Sequence, residues 1–203
     1  SIIDLSEQSN QPMLDGDRTV AVVFNGEIYN HADIREEIGD SFEFKTDHSD
    51  TEVIINAYKK WGIDCLEKFV GMFAIALCDI TQKKVFLVRD RLGKKPLYWA
   101  EVENTLYFTS EIHSLFEAGI VEKTINPEAI YHYLTFLAVP APSTFFKGIN
   151  KVEAGNYLEI SNGEILKKQY WNLSDHLNTE VNLSYKEAVA ESKKLLEASM
   201  VHR

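Results

Sequence analysis

Between Gly71 and Glu111 the chain carries four apolar runs, "GMFAIALCDI", "KKVFLVRD", "PLYWAEV" and "TLYFTSE", separated by short polar breaks. No other stretch restricts the fold as much. Each run has strand length, and Thr81-Gln82-Lys83 and Glu103-Asn104 are hairpin connections between consecutive runs. A further hairpin, Asn156 to Ile160 and Glu164 to Tyr170, turns at Asn162-Gly163, and Thr19 to Phe24 reads as a strand with Val20, Val22 and Phe24 on one face. Helical signals lie between these strands. Asn30 is placed to cap a helix through Ile34 and Ile38. Ser49 and Glu52 have capping-box spacing ahead of a stripe of Val53, Ala57, Tyr58 and Trp61, which Gly62 ends. Short helices are expected from Asp64 to Phe69, from Glu111 to Glu117, and from Pro127 to Phe136 with Asn126 as cap. "VPAPS" breaks the chain at Pro140 and Pro142. Residues 172–183 form a polar linker, and Ser184 with Glu187 opens a last helix whose stripe of Val189, Leu196 and Met200 needs a partner. Antiparallel hairpins with helices between them imply an α+β domain, its sheets covered by helices.

Charge and composition remove several functions. Thirty-one acidic against 21 basic residues give a net charge of −10, which repels phosphate backbones and anionic membranes and argues against nucleic acid as a partner. The longest apolar run, Gly71 to Cys78, falls far short of the roughly 20 residues of a membrane-spanning helix. The opening "SIIDLSEQSN" has neither the basic start nor the apolar stretch of a secretory signal. Cys65 and Cys78 offer no disulfide framework, no metal spacing and no adjacent base, usage that fits the cytoplasm. His31, His48 and His113 are scattered, so no metal is expected. Gly93-Lys94 lacks the upstream glycine of a phosphate loop. Arg89, Asp90 and Arg91 read as ion-pairing residues at a strand end, while Glu111, Tyr98, Trp99, Tyr107 and Phe108 serve packing and hairpin pairing.

The stretch "VVFNGEIYN", Val22 to Asn30, admits two readings. Asn-Gly after alternating apolar residues is a turn signal. Yet Glu27, Ile28 and Tyr29 alone separate Gly26 from the Asn30 cap, leaving little room for a return strand. Placed at a sheet rim instead, the Asn25 side-chain amide and the Gly26 N–H can together face a developing oxyanion. Asp50, in the first turn of its helix, is favoured by the helix dipole and is also able to receive an ammonium group.

Taken together, "FNGEIYNH", "SDTEVIINAYKKWG", "GMFAIALCD", "VRDRLGKKPLYW" and "FTSEIHSLFEAG" resemble the glutaminase domain of glutamine-dependent asparagine synthetases, and "GINKVEAGNYLEISNG" and "YWNL" extend the likeness over nearly the whole chain. The resemblance implies a four-layer αββα sandwich of the N-terminal-nucleophile amidotransferase type, here lacking its first strands and followed by a linker helix. It implies that Asn25 and Gly26 form the oxyanion hole for glutamine. Glu27, mainly through its backbone carbonyl, and Asp50 would hold the substrate's ammonium group, and Ile2 and Ile3 match the tail of the segment that binds the substrate's carboxylate, where backbone contacts to glutamine are made. The family's nucleophile is an N-terminal cysteine whose own α-amino group serves as base. In the family "SIIDLS" follows that cysteine at a distance, so Ser1 is not its counterpart, and the substrate-carboxylate arginine would precede residue 1. The 203 residues are therefore expected to be inactive alone: a truncated amidotransferase domain over 1–170, then a linker and the first helix of a synthetase domain over 171–203.

The implied parent enzyme hydrolyses glutamine and uses ATP and magnesium, held in the missing synthetase domain, to convert aspartate to asparagine. The fragment itself needs no cofactor. Its implied partners are glutamine, the synthetase domain and a possible second copy in a homodimer. Two other readings stand beside this one. A relative of the same family aminates a surface-polysaccharide sugar or closes a lactam, or the chain is a degenerate binding module without catalysis.

Overall fold

The structure, a computed structural model, describes residues 10–177 and 182–201; Ser1, Ile2 and Ile3 lie outside the described residues. Two antiparallel sheets are present among them. The first has six strands in the order β1 (Met13–Leu14), β2 (Val20–Ile28), β3 (Gly71–Asp79), β4 (Lys84–Arg89), β8 (Asn156–Ser161) and β9 (Glu164–Gln169). The second has three, with β5 (Tyr98–Val102) between β6 (Thr105–Thr109) and β7 (Asn150–Lys151). The helices are α1 (His31–Ile38), α2 (Asp50–Trp61), α3 (Ile112–Glu117), α4 (Pro127–Phe136) and α5 (Tyr185–Val201).

Strand alternation sorts the apolar side chains into three cores. Val20, Val22, Phe24 and Ile28 of β2, with Phe73, Ile75 and Leu77 of β3, pack against Ile34 and Ile38 of α1 and Val53 and Ile54 of α2. On the opposite face Ala74, Ala76, Leu87 and Leu158 meet Leu97 and Val152 beneath the second sheet. The alanines leave room there. Beyond the second sheet, Ala100 and Ile149 pack with Leu115 of α3. The result is helix, sheet, sheet, helix, the αββα sandwich expected. The hairpins form as their turn residues dictate, with positive φ at Glu103 and Asn104 and at Asn162 and Gly163.

Several local expectations change. The Asn25-Gly26 step makes no turn; β2 runs straight through it to Ile28, register-paired with β3 along its whole length. Asn30 precedes α1 but makes no side-chain cap bond. Its amide instead clamps the entry to β3, donating to Lys68 C=O and accepting from Val70 N–H, each at 2.9 Å. Ser49 and Glu52 form no capping box either. The Glu52 carboxylate reaches back to Lys45 N–H, Thr46 N–H and Thr46 Oγ1 and ties down the preceding loop. Arg89 and Asp90 form no ion pair among the described residues. Arg89 donates to the carbonyls of Gly93, Lys95 and Val152, each at 2.8 Å, and Asp90 accepts only from backbone N–H groups. Two caps are as expected: Asn126 Oδ1 accepts from Glu128 N–H at 3.2 Å, and Ser184 and Glu187 bond reciprocally. No helix among the described residues is long and apolar enough to cross a membrane.

Candidate active site

The backbone polar groups of β2 alternate in direction. Thr19 C=O accepts from Ile80 N–H and Tyr29 N–H donates to Val70 C=O, so the odd-numbered positions turn to β3. The even-numbered positions turn away. Phe24 N–H donates to Gln11 Oε1 at 2.7 Å and Ile28 N–H to Asp50 Oδ2 at 3.3 Å. Gly26, opposite Phe73, belongs to this second set, and its N–H and C=O both face the outer edge of the sheet between Gln11 and Asp50. Among the described residues β1 covers that edge only opposite Ala21 and Val22.

Glycine is required here by the close approach of two strands. A Cβ on Gly26 would lie 2.1 Å from Met72 O, and one on Gly71 would lie 2.1 Å from Glu27 O. Glu27 occupies an odd position opposite Met72, so its carbonyl turns into the ladder. The carbonyl presented at the edge is that of Gly26.

Side chains alternate as well. Asn25 projects from the opposite face to Phe24, towards the second sheet, and lines a cleft of about 180 Å³ with Ala74 and Ala76 of the first sheet and Leu97, Phe108, Thr109 and Ser110. Its Nδ2 donates to Ser110 Oγ at 3.0 Å, which leaves the second amide hydrogen available. The side-chain donor thus stands off the strand towards the cleft, while the Gly26 donor lies in the plane of the sheet.

Asp50 closes the other end of this edge. It is the first residue of α2, 2% exposed. Burial raises its pKa above the ordinary carboxylate value; Ile28 N–H and the nearby His31 offset part of that. Ser49 Oγ and Thr51 Oγ1 beside it are buried without a hydrogen-bond partner among the described residues. Besides Ile28 N–H, the backbone N–H groups of Thr51 and Asp50 itself bond the carboxylate. Two residues along a strand separate Gly26 from Ile28 by about 7 Å, a span that accommodates the roughly 5 Å between the amide carbon and α-amino nitrogen of extended glutamine.

The fold therefore sets the Gly26 N–H and C=O and Asp50 along one strand edge, sends the Asn25 side chain off the sheet face towards the cleft, turns the Glu27 carbonyl into the ladder, and adds Gln11 and Ser110, neither of which the sequence singled out. Ser110 lies in the "FTSE" run, but nothing local ties it to Asn25. Burial, with Asp64 nearby, pushes the Cys65 thiol up to about 12, and burial, with Asp79 nearby, raises that of Cys78.

Facing antiparallel sheets between helical layers, with an Asn-Gly step at the cleft rim, define the N-terminal-nucleophile glutamine amidotransferase class. The glutamine phosphoribosylpyrophosphate amidotransferase of Bacillus subtilis shares the fold with a TM-score of 0.59 at 17% identity, over 83% of this chain and 33% of that one. A structure of the allosteric regulatory enzyme of purine biosynthesis does so with a TM-score of 0.57 at 19% identity, over 79% and 31%. A family profile for the glutamine amidotransferase domain matches residues 1–171, and the chain belongs to that family, in the branch that forms the glutaminase domain of asparagine synthetases. It is 37% identical over 213 residues to an asparagine synthetase [glutamine-hydrolyzing] of Bacillus subtilis, covering all of this chain and 28% of that protein. A putative asparagine synthetase [glutamine-hydrolyzing] of Methanocaldococcus jannaschii is 34% identical over 97% of the chain and 40% of its own length. The amidase chyE of Penicillium rubens is 35% identical over 98% and 29%. The chain thus spans well under half of the curated relatives it matches.

Proposed function

We propose that the open edge of β2 binds L-glutamine and stabilises the cleavage of its side-chain amide, releasing ammonia for a synthetase domain of a longer polypeptide. The observation that carries this reading is the placement of the Gly26 N–H and C=O and of Asp50 on one edge, at the spacing of the two ends of glutamine, with the Asn25 amide turned to the adjoining cleft. Asp50 and the Gly26 carbonyl receive the ammonium group, and Asn25 Nδ2 and Gly26 N–H receive the amide oxygen. The nucleophile is an N-terminal cysteine from outside these 203 residues. Its thiol proton passes to its own α-amine as sulfur adds to the amide carbon. The tetrahedral adduct then loses the C–N bond, the leaving nitrogen takes that proton to depart as ammonia, and water hydrolyses the thioester to glutamate.

In the same proposal residues 1–170 form the amidotransferase domain, and 171–203 lead into a domain where ATP and magnesium activate aspartate for conversion to asparagine, in the cytoplasm and in a homodimer. Nucleic acid and membranes have no part in it. Relatives named as amidases favour one second reading, in which the ammonia goes to another acceptor; asparagine formation from aspartate, ATP and glutamine by the full-length polypeptide separates the two.

The test is glutamate release from glutamine. The full-length polypeptide should release it and the 203-residue chain should not, and Asn25→Ala in the full-length polypeptide should lower kcat by about 100-fold or more with little change in KM. No glutamate release by the full-length polypeptide would sink the proposal.

A further inference from the structure

We infer that Ser110 is a positioning residue that aims the Asn25 amide; this rests on the reading of Asn25 as an oxyanion donor. Asn25 is exposed on its strand, and its side chain has two torsions that nothing on β2 restrains. An amide left to rotate presents its N–H to the oxyanion only part of the time. The restraint comes from the other sheet. Ser110 Oγ accepts from Asn25 Nδ2 at 3.0 Å across the cleft, between residues 85 positions apart in the chain. With one Nδ2 hydrogen held there, the amide plane is set and the second hydrogen has a defined direction.

Ser110 is itself well held. It follows β6 directly and stands two residues before α3. Thr109 Oγ1 accepts from Glu111 N–H at 3.0 Å and lies 2.8 Å from Ser114 Oγ, which donates to Glu111 C=O at 2.7 Å. These bonds bracket Ser110 and fix its backbone at the junction. One N–H of the oxyanion pair is thereby oriented by the second sheet, and separation of the sheets at the cleft releases it.

The test is a double-mutant cycle in the full-length polypeptide, read as kcat and KM for glutamine hydrolysis. Ser110→Ala should lower kcat about tenfold with KM within about twofold, less than the loss of the donor itself. Ser110→Thr, which keeps the hydroxyl, should restore most of that loss. In an Asn25→Ala background, Ser110→Ala should cost nothing further, because the group it aims is gone. An equal loss in both backgrounds, or no loss in wild type, overturns the inference and leaves the glutaminase reading standing. Unchanged kcat in Asn25→Ala alone would instead overturn that underlying reading. Should Ser110→Ala fail to fold, the wild-type side-chain amide decides: slowed solvent exchange of one of the two Asn25 Nδ2 protons supports the aim, and equal fast exchange of both overturns it.

Discussion

Asp50 and Asp90 are carboxylates of nearly equal burial, 2% and 1% exposed, yet they are provided for very differently. Asp90 accepts four backbone N–H groups, from Leu92 at 3.1 Å and Lys94 at 2.9 Å on Oδ1, and from Phe73 at 3.2 Å and Lys95 at 2.9 Å on Oδ2. Beyond the amides of its own helical turn, Asp50 has Ile28 N–H at 3.3 Å. A carboxylate saturated by main-chain donors fixes a loop and has no capacity left for a ligand. Asp50, with three backbone donors among the described residues, keeps acceptor capacity for the ammonium group proposed above. Asp15 and Glu52 belong with Asp90: each is encircled by N–H and hydroxyl donors of a nearby loop. The pattern of donors, more than burial or charge, separates scaffold from site.

The contrast breaks most readily at Asp90. Asp90→Ala removes the acceptor of four backbone N–H groups, the Phe73 one buried and the others part-buried, and should cost about 3 kcal/mol in urea unfolding; a loss below about 1 kcal/mol would put Asp90 in the same class as Asp50. A smaller effect is expected at Asp15. Burial opposes its charge, but Lys59 Nζ at 2.6 Å and the donors of Thr19 and Val20 bring its pKa from 3.8 down to about 2. A depressed pKa means stability present above pH 3.8 and lost as the pH falls towards 2. Asp15→Asn should therefore remove about 2 kcal/mol at neutral pH, and its unfolding free energy should change less than that of wild type between those two pH values.

At Asp50 the sign reverses, and the stability effect is the smallest. Its raised pKa means a contribution that is full below the unfolded value and is lost as the pH rises through the folded one. Asp50→Asn should leave the melting temperature at pH 7 unchanged or higher, and weaken glutamine binding by at least about tenfold in calorimetry, since a charge-assisted contact to the ammonium group is gone. A variant that loses stability and keeps glutamine affinity would move Asp50 to the scaffold side.

Particular elements show how far local pattern reaches. The hairpins at Glu103-Asn104 and Asn162-Gly163, the Asn126 cap and the Ser184–Glu187 box are all legible because their partners lie within a few residues. Asn30 and Ser49–Glu52 carry the same signals but are used otherwise. Asn30 is engaged by a strand entry some 40 residues away, and Glu52 by the loop ahead of its helix. The motif resemblance singled out Asn25, Gly26 and Asp50, but neither Ser110 nor Gln11, whose contacts span 85 and 13 residues.

The chain's own residues decided most strands and hairpin turns and the α+β class, which follow from periodicity and turn chemistry that neighbouring residues settle among themselves, while the family was legible only through the resemblance of its motifs. Which polar groups of β2 reach open space was decided in three dimensions. Pairing of β2 with β3 sends the Glu27 carbonyl inward and the Gly26 N–H and C=O outward, and the second sheet brings a serine to the asparagine. An antiparallel ladder reverses the direction of its hydrogen bonds at every residue, so a register shifted by one would have exchanged those roles without altering a single letter of the motif.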